Sequence, residues 1–268
     1  EFVLLLLFLP FSSSSHSRNM VDVLSEGSLT PPIKNIHHSL LMIWIQYSET
    51  DDKRKFLNKL YHSEKYQKTL AVQLQNLGTN DLDIPLINKP NFYKNNYITS
   101  KAYYETEDMG LAAFILPKGC KIEMHDHNMM FVNSKIMKGK VRIRCCDLVD
   151  GTKFYSQIDN LNPHRYEDAS ISEEDHRLEA KLVFDVEMSA GETLYLTPDR
   201  GNIHSIEAIE DSVFFDVILP NYDPEEAERN CNYFFEDPST LNGRQEGDRV
   251  SLYFATCPIH MHFRQLEQ

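Results

Sequence analysis

Apolar positions follow two different periods along this chain, and the change comes near residue 97. Between residues 50 and 78 they recur with helical spacing, as at Phe56 and Leu60. After residue 97, apolar and polar residues alternate, which is the period of a half-buried β-strand. The pattern therefore predicts a helical segment in front of a β-rich part.

The alternating part divides into short segments that are rich in β-branched and aromatic residues and bounded by Gly, Pro or Asp. Short antiparallel strands with tight turns are typical of a jelly-roll sandwich or barrel. The predicted strands are Leu111–Leu116, Lys121–His127, Val132–Lys138, Lys140–Asp147, Lys181–Met188, Thr193–Thr197, Ile203–Ile209 and Ser212–Leu219, with Arg249–Ala255 as a last strand.

These patterns divide the chain into three parts. Residues 1–39 are expected to be disordered or to include a start assigned too early, with Met20 as the initiator. Their apolar run, residues 2–11, is too short to span a bilayer and lacks the basic residues that precede a signal sequence. Residues 40–96 are expected to form a helical preface packed outside a barrel, with a partner-binding helix as the alternative.

Residues 97–268 are expected to form the barrel, interrupted by an acidic, loop-like insertion at 148–180. A histidine pair at His37 and His38, in the polar stretch before the preface, is expected to be exposed. The fold class predicted is mainly β with an N-terminal α-helical preface.

The net charge and the cysteine spacing limit the classes of partner and the compartment expected for this protein. A net charge of −13 argues against nucleic acid and anionic membranes, because phosphate groups would be repelled. The five cysteines show no C-x-x-C spacing, which favours reduced thiols in the cytoplasm or the nucleus. We expect a monomer.

Two histidines stand out in the predicted strand Lys121–His127. Residues i and i+2 of a strand share a face, so His125 and His127 can direct their imidazoles at one point. His204 is available as a third ligand. The same spacing recurs at His260 and His262, so spacing alone does not define a metal site.

The sequence around these histidines resembles the two motifs of the cupins. The cupin glutamate position is occupied by Val132, so the resemblance implies a three-histidine ligand set, and implies a cupin-type double-stranded β-helix for the barrel. The matching positions are Gly119, His125, His127 and Gly139 in the first motif and Gly191, Pro198, Gly201 and His204 in the second.

Longer stretches resemble one group of three-histidine cupins, the thiol dioxygenase family of cysteamine dioxygenase and the plant cysteine oxidases. The resemblance covers roughly residues 50 to 236, and it departs from the family at Asn128, Met129 and Asn221, where Pro, Gly and Pro are usual. The stretches are MHDHNMMFVNSKIMKGKVRIRCCD, RGNIHSIEA and FFDVILPNYDPEEAERNCNYF.

Further residues are candidates for the site. Asp216 lies in an apolar run, where a carboxylate needs a partner, and metal-bound imidazoles often donate their second N–H to a carboxylate. The alternative is an exposed edge-strand Asp. The resemblance implies that Tyr222 lies in the pocket, and that Cys231 and Tyr233 are secondary pocket residues. A surface Tyr222 and a buried, inert Cys231 are the alternatives.

The resemblance implies an Fe(II) enzyme that adds both atoms of O₂ to a thiol to give a sulfinic acid. Three imidazoles equally suit Zn²⁺, so a non-oxidative cupin, either a hydrolase or isomerase or a binding module, remains open. The thiol is expected to be an N-terminal cysteine or cysteamine, because the resembling branch lacks an Arg clamp for a carboxylate. Arg142 and Arg144 are the nearest arginines in sequence and are interpreted as surface residues, although alternation alone leaves open whether they face the pocket or solvent.

Overall fold

The computed structural model describes residues 29–85, 87, 93, 97–158, 177–223, 226–237, 239, 244–258 and 263–265. His260, His262 and most of the predicted acidic insertion lie outside these ranges.

Helices form the first part of the described chain, as the spacing predicts. A turn at Tyr61–Ser63 interrupts them, because the Ser63 side chain accepts a hydrogen bond from the Tyr66 N–H and starts a new helix. The helices are α1 (Pro31–Ser48), α2 (Lys53–Leu60), α3 (Glu64–Tyr66), a π-helical turn (Gln67–Ala71), α4 (Val72–Asn76) and a 3₁₀ turn (Thr79–Leu82), with α5 (Gly151–Gln157) later in the chain.

Two expectations for the start of the chain are wrong. Helix α1 begins at Pro31 and not at residue 40, because Pro is favoured in the first turn of a helix. His37 is also buried and not exposed. Its ring centroid lies 4.2 Å from that of Tyr104, so it packs between α1 and the sheet.

The described strands form two six-stranded sheets. The first sheet has the order β12-β1-β2-β9-β4-β7, and the second closes on itself in the order β10-β11-β6-β5-β8-β3. The strands are β1 (Ile98–Glu105), β2 (Gly110–Leu116), β3 (Lys121–Asp126), β4 (Phe131–Lys138), β5 (Lys140–Leu148), β6 (Arg177–Ser189), β7 (Thr193–Leu196), β8 (Ile203–Ala208), β9 (Ser212–Leu219), β10 (Tyr233–Glu236), β11 (Arg249–Ala255) and β12 (Phe263–Gln265).

All the predicted strands are present, and the mainly β, cupin-type jelly roll with helices in front of it is confirmed. Three strands were missed: β1, β10 and β12. The four residues of β10, Tyr-Phe-Phe-Glu, do not alternate in polarity, because both faces of this strand are covered. The loop interpretation is also wrong for the ends of the predicted insertion, where α5 and the start of β6 lie.

Apolar side chains fall into three clusters. The outer cluster packs the helices on the first sheet through residues such as Leu40, Leu74 and Phe215. The central cluster lies between the two sheets and includes Ile143 and Phe214. The back cluster covers the other face of the second sheet and includes Phe154 of α5, together with Met124, Cys146, Ile203, Phe234 and Phe254.

The helical preface is joined to the first sheet by polar contacts as well as by the outer cluster. Lys135 of β4 is buried, and its Nζ donates to the backbone oxygens of Gln75 and Leu77 at distances of 2.5 and 2.8 Å. Both carbonyls lie at the end of α4, where a helix leaves them without intrahelical partners and where its dipole favours a cation. Lys135 therefore caps α4 from the sheet.

None of the helices in the described part of the chain has the length and apolar character needed to cross a membrane.

Replacing Lys135 with Met should lower the free energy of unfolding by about 1–3 kcal/mol, because two carbonyls at the end of α4, one of them on the buried Leu77, lose a charged donor. Chemical denaturation of the metal-free protein measures this change. Lys181→Met, at an exposed position of β6, is the matched control and should change stability by less than about 0.5 kcal/mol. An equal loss in the two variants would contradict the capping role.

Candidate metal centre

Strands β3 and β8 bring two of the predicted ligands together. The strands are antiparallel neighbours, and His125 lies directly opposite His204 in their register. Between Ile122 and His125, two residues of β3 lie opposite the single residue Ser205 of β8, which is a β-bulge. Side chains opposite each other share a face, so the bulge places His125 on the same face as His204.

His127 completes the cluster immediately after the end of β3. Its backbone N–H donates to Asn202, to the backbone oxygen at 3.3 Å and to the side-chain oxygen at 3.1 Å, so the chain stays beside β8. The ligand atoms of the three histidines lie within 4.8 Å of one another, and all three side chains are buried. This is the spacing of a set that can hold one metal ion.

Hydrogen bonds fix the orientations of two of these rings. Nδ1 of His125 lies 2.8 Å from the backbone oxygen of Glu123, which makes Nε2 the candidate metal-binding nitrogen of this ring. The Tyr222 hydroxyl donates to the backbone oxygen of Asp126 at 2.8 Å. It also lies 2.7 Å from Nδ1 and 3.2 Å from Nε2 of His127, so the phenol stands directly at the histidine cluster.

Burial keeps the three imidazoles uncharged in the metal-free protein. It lowers the pKa of His125 to about 4. It also holds the pKa of His127 and that of His204 well below their usual value, and the neighbouring imidazoles add to this effect. Neutral imidazole is the form that binds metal ions. In the described part of the chain no carboxylate joins this cluster, so the donor set fits a divalent ion that keeps open positions.

Asp126 lies between two ligands but faces the other side of β3, as the alternation predicts. It is opposite Ile203, which belongs to the back cluster. Its carboxylate accepts hydrogen bonds from the Asn232 backbone N–H at 2.8 Å, from the Asn232 side chain at 2.9 Å and from the Tyr155 hydroxyl at 2.8 Å. Sequence analysis missed both donors, since neither lies near the motif in the sequence.

The glycine that ends β4 is required by the fold. Gly139 has a φ of +75°, and a Cβ at this position would lie 2.4 Å from the backbone oxygen of Asp211. Only glycine avoids both the strain and the contact. This position therefore accounts for one of the motif glycines on purely structural grounds.

Asp216 is buried and faces the space between the sheets. It alternates along β9 with residues of the outer cluster and shares a face with Phe214 and Ile218 of the central cluster. Ser134 lies opposite Asp216 on β4, but neither the Ser134 hydroxyl nor Oδ1 of Asp216 has a hydrogen-bond partner among the described residues. An exposed edge position is therefore wrong, whereas contact with a ligand imidazole stays a prediction.

The pair Cys231 and Tyr233 lies beside the cluster. Tyr233 of β10 is opposite His125, with ring centroids 6.3 Å apart. Its hydroxyl interacts with the thiols of Cys231 and Cys257. Cys257 was not predicted for this place, and it arrives there from the end of β11. All five cysteines are free thiols.

The two arginines on β5 lie on the face of the second sheet that is turned away from the histidines. Their neighbours Val141, Ile143 and Cys145 point into the central cluster, so alternation turns both arginines away from it. Arg142 makes two bonds to Asp185, and Arg144 binds Asp185 and Glu236 at 2.7 Å each. Arg144 is buried, so its interpretation as a surface residue is wrong.

The departures from the family pattern have structural partners. Met129, where glycine is usual, has a φ of +56°, a conformation that favours glycine. Its sulfur accepts a hydrogen bond from Arg54 of α2 at 3.8 Å. The Asn128 side chain donates to the backbone oxygen of Glu228, and that of Asn221 donates to Thr106, each at 3.0 Å. These polar contacts join the segments that follow β3 and β9 to neighbouring parts of the chain.

Asp216→Asn should change how the stability of the metal-free protein depends on pH. Burial raises the pKa of Asp216 to about 7, so its stabilising contribution is complete below about pH 4 and is lost as pH rises through 7. The variant should therefore be more stable than the wild type at pH 8, by about 1–4 kcal/mol, with the advantage shrinking towards pH 4. Urea unfolding at several pH values measures it.

Asp51→Asn, at an exposed position before α2, is the control and should reproduce the wild-type profile. A difference between Asp216→Asn and the wild type that stays constant with pH would contradict a buried, protonated Asp216.

Comparisons with known proteins agree with this geometry. The 2-aminoethanethiol dioxygenase of Mus musculus is 32% identical over 143 residues, which are 51% of this chain and 54% of that protein. Plant cysteine oxidase 1 of Arabidopsis thaliana is 28% identical over 156 residues, 58% of this chain and 47% of that protein. The chain thus spans about half the length of the curated relatives it matches.

Among solved structures, a cupin superfamily protein from Desulfitobacterium hafniense is similar over 48% of this chain and 82% of its own, with 11% identity and a TM-score of 0.30. A TM-score this low carries no argument about the fold. The fold assignment rests on the observed strand pairing.

A match to a family model shows which family this chain belongs to. The model described as PCO_ADO matches residues 62–260, about three quarters of the chain, and this range contains the three histidines and both strands that carry them. The chain belongs to the PCO_ADO family.

Proposed function

We propose that this protein is an Fe(II)-dependent thiol dioxygenase that converts the N-terminal cysteine of peptides or proteins to a sulfinic acid. The overall reaction adds both oxygen atoms of O₂ to the thiol sulfur. The observation that carries the proposal is the buried cluster of His125, His127 and His204, which no carboxylate joins in the described part of the chain.

The donor set supports iron chemistry with a thiol. Three neutral ligands leave a divalent ion its full charge and leave coordination positions open, which suits a thiolate and O₂. Fe(II) held there would supply a binding position for O₂ and a route for the four electrons that pass from the thiol sulfur to O₂. The family names of the relatives, 2-aminoethanethiol dioxygenase and plant cysteine oxidase, support the same reaction class.

The protein's own residues prepare this reaction. The central cluster excludes water from one side of the histidines, and the neutral rings are ready to bind without losing a proton. Tyr222 holds its hydroxyl at His127, where it can hydrogen-bond to a bound ligand. We propose that Asp216 supports the site from β9, and that Tyr233 of β10 and Cys231, which lies just before that strand, line it.

The charges around the site favour an amine and not a carboxylate in the substrate. An enzyme for free cysteine would hold its α-carboxylate with a fixed arginine. Arg142 and Arg144 are bound to acidic residues on the face turned away from the histidines. The net charge of −13 also favours a positively charged amine. Cysteamine, which carries an amine and no carboxylate, is the small alternative substrate.

The proposed reaction gives the protein a role in oxygen sensing. Its rate would follow the O₂ concentration, and the sulfinic acid at a protein's N-terminus would mark that protein for degradation. We place this activity in the cytoplasm or the nucleus, in a monomer, where a reducing environment keeps the five thiols free.

The purified protein should bind about one iron per chain, and His204→Ala should remove most of it without unfolding the fold. The reason is that Fe(II) sites of this type use three protein ligands, and the variant keeps only two, with no carboxylate in the described cluster to replace the third. Metal analysis and far-UV circular dichroism measure both effects. His62→Ala, at an exposed position in the helical preface, should keep the full iron content. Full occupancy in His204→Ala would exclude it as the third ligand, and zinc in place of iron would favour the hydrolytic alternative.

A peptide that begins with Cys should gain two oxygen atoms when incubated with the enzyme, Fe(II) and O₂, as measured by mass spectrometry. Its N-acetylated counterpart should gain none, because the free amine is lost. Arg142→Ala should leave this turnover within about twofold, because its guanidinium faces away from the histidines. Faster oxidation of free cysteine, abolished by Arg142→Ala, would overturn the proposed substrate.

A further inference from the structure

We propose that Tyr155 is a positioning residue for the metal centre and acts on the ligands through Asp126. This inference rests on the proposed metal site, but not on the dioxygenase reaction. Tyr155 belongs to α5, in the segment that the sequence presented as an acidic insertion. Its hydroxyl donates to Oδ2 of Asp126 at 2.8 Å.

Asp126 is well placed to transmit a change to the ligands. It lies between His125 and His127, so any rotation of its backbone moves both imidazoles. The residue is fully buried, and its backbone N–H donates to the backbone oxygen of Asn232 at 3.1 Å. Asn232 returns two bonds to the carboxylate, and Tyr155 supplies the third donor from a different element. The carboxylate is therefore held from two directions.

The position of Tyr155 is itself fixed by packing. Its neighbour Phe154 is buried in the back cluster, with ring centroids 5.7 Å from Phe234 and 5.5 Å from Phe254. These two rings lie on β10 and β11, so α5 is anchored on the second sheet. Consecutive residues of this helix thus have separate tasks: Phe154 anchors it, and Tyr155 reaches the strand of the ligands.

Loss of the Tyr155 hydroxyl should lower the affinity for the metal more than it lowers the stability of the protein. Without Tyr155, Oδ2 of the buried carboxylate keeps one donor, the Asn232 side chain, and burying an under-bonded carboxylate is unfavourable. The strand can relieve this cost by shifting Asp126 and the adjacent imidazoles with it. Groups that orient metal ligands directly change metal affinity by about 10- to 100-fold. Tyr155 contacts Asp126 and not a ligand imidazole, so we expect a smaller change in metal affinity, of about 3- to 10-fold.

The test compares Tyr155→Phe with Phe154→Leu, which loosens the same helix but keeps the hydroxyl. Metal-free proteins are titrated with Co(II), and the visible absorption spectrum of bound Co(II) and the thermal midpoint are recorded. Tyr155→Phe should raise the Co(II) dissociation constant by about 3- to 10-fold and alter the spectrum, with a small change in midpoint. Phe154→Leu should lower the midpoint but keep the wild-type spectrum and an affinity within about twofold.

Two results would overturn the proposal. Wild-type Co(II) affinity and an unchanged spectrum in Tyr155→Phe would leave Tyr155 without a role at the metal. Alternatively, both variants could lose affinity in proportion to their loss of midpoint, which would make the role purely structural. A wild-type protein that binds no Co(II) would overturn the metal site itself. Metal binding without thiol oxidation would count against the proposed function alone.

Discussion

The antiparallel pairing of β3 with β8 is the constraint on which the site depends. It sets His125 opposite His204, and the bulge before His125 decides which face of the sheet the imidazole reaches. A strand without that extra residue would turn the His125 side chain to the back cluster, because side chains alternate along a strand. The second sheet closes on itself through contacts of β3 with β8 and β10, so this register is fixed from both sides.

Burial gives the cluster its chemical character. The imidazoles stay neutral because the space between the sheets disfavours charge, and the same burial raises the pKa of Asp126 and that of Asp216 to about 7. The two carboxylates differ in their surroundings. Asp126 has three donors and serves the backbone of the ligand strand, whereas Asp216 keeps an oxygen without a partner among the described residues. Asp216 is thus the carboxylate with free bonding capacity.

Elements outside the jelly roll support it from both faces. On the first sheet, Lys135 binds the end of α4, and Arg54 of α2 reaches both Met129 and Asp199 at the rim of the site. On the second sheet, α5 covers the back cluster and contacts Asp126. The helical preface and α5 therefore support the loops and the strand around the histidines.

The sequence by itself determined the mainly β fold, eight of the strands together with Arg249–Ala255, the three clustered histidines and the burial of Asp216, since alternation and local motifs are properties of neighbouring residues. Only the tertiary structure decided that Arg144 is buried and turned away and that His37 packs on Tyr104. It also decided that Asn232 and Tyr155 both bind Asp126 of the ligand strand, and that Cys257 lies beside Tyr233. These contacts join residues 24 to 106 positions apart or depend on which face of a sheet is covered. No local period encodes such pairings, because strand register and helix docking are set by the packing of the whole domain.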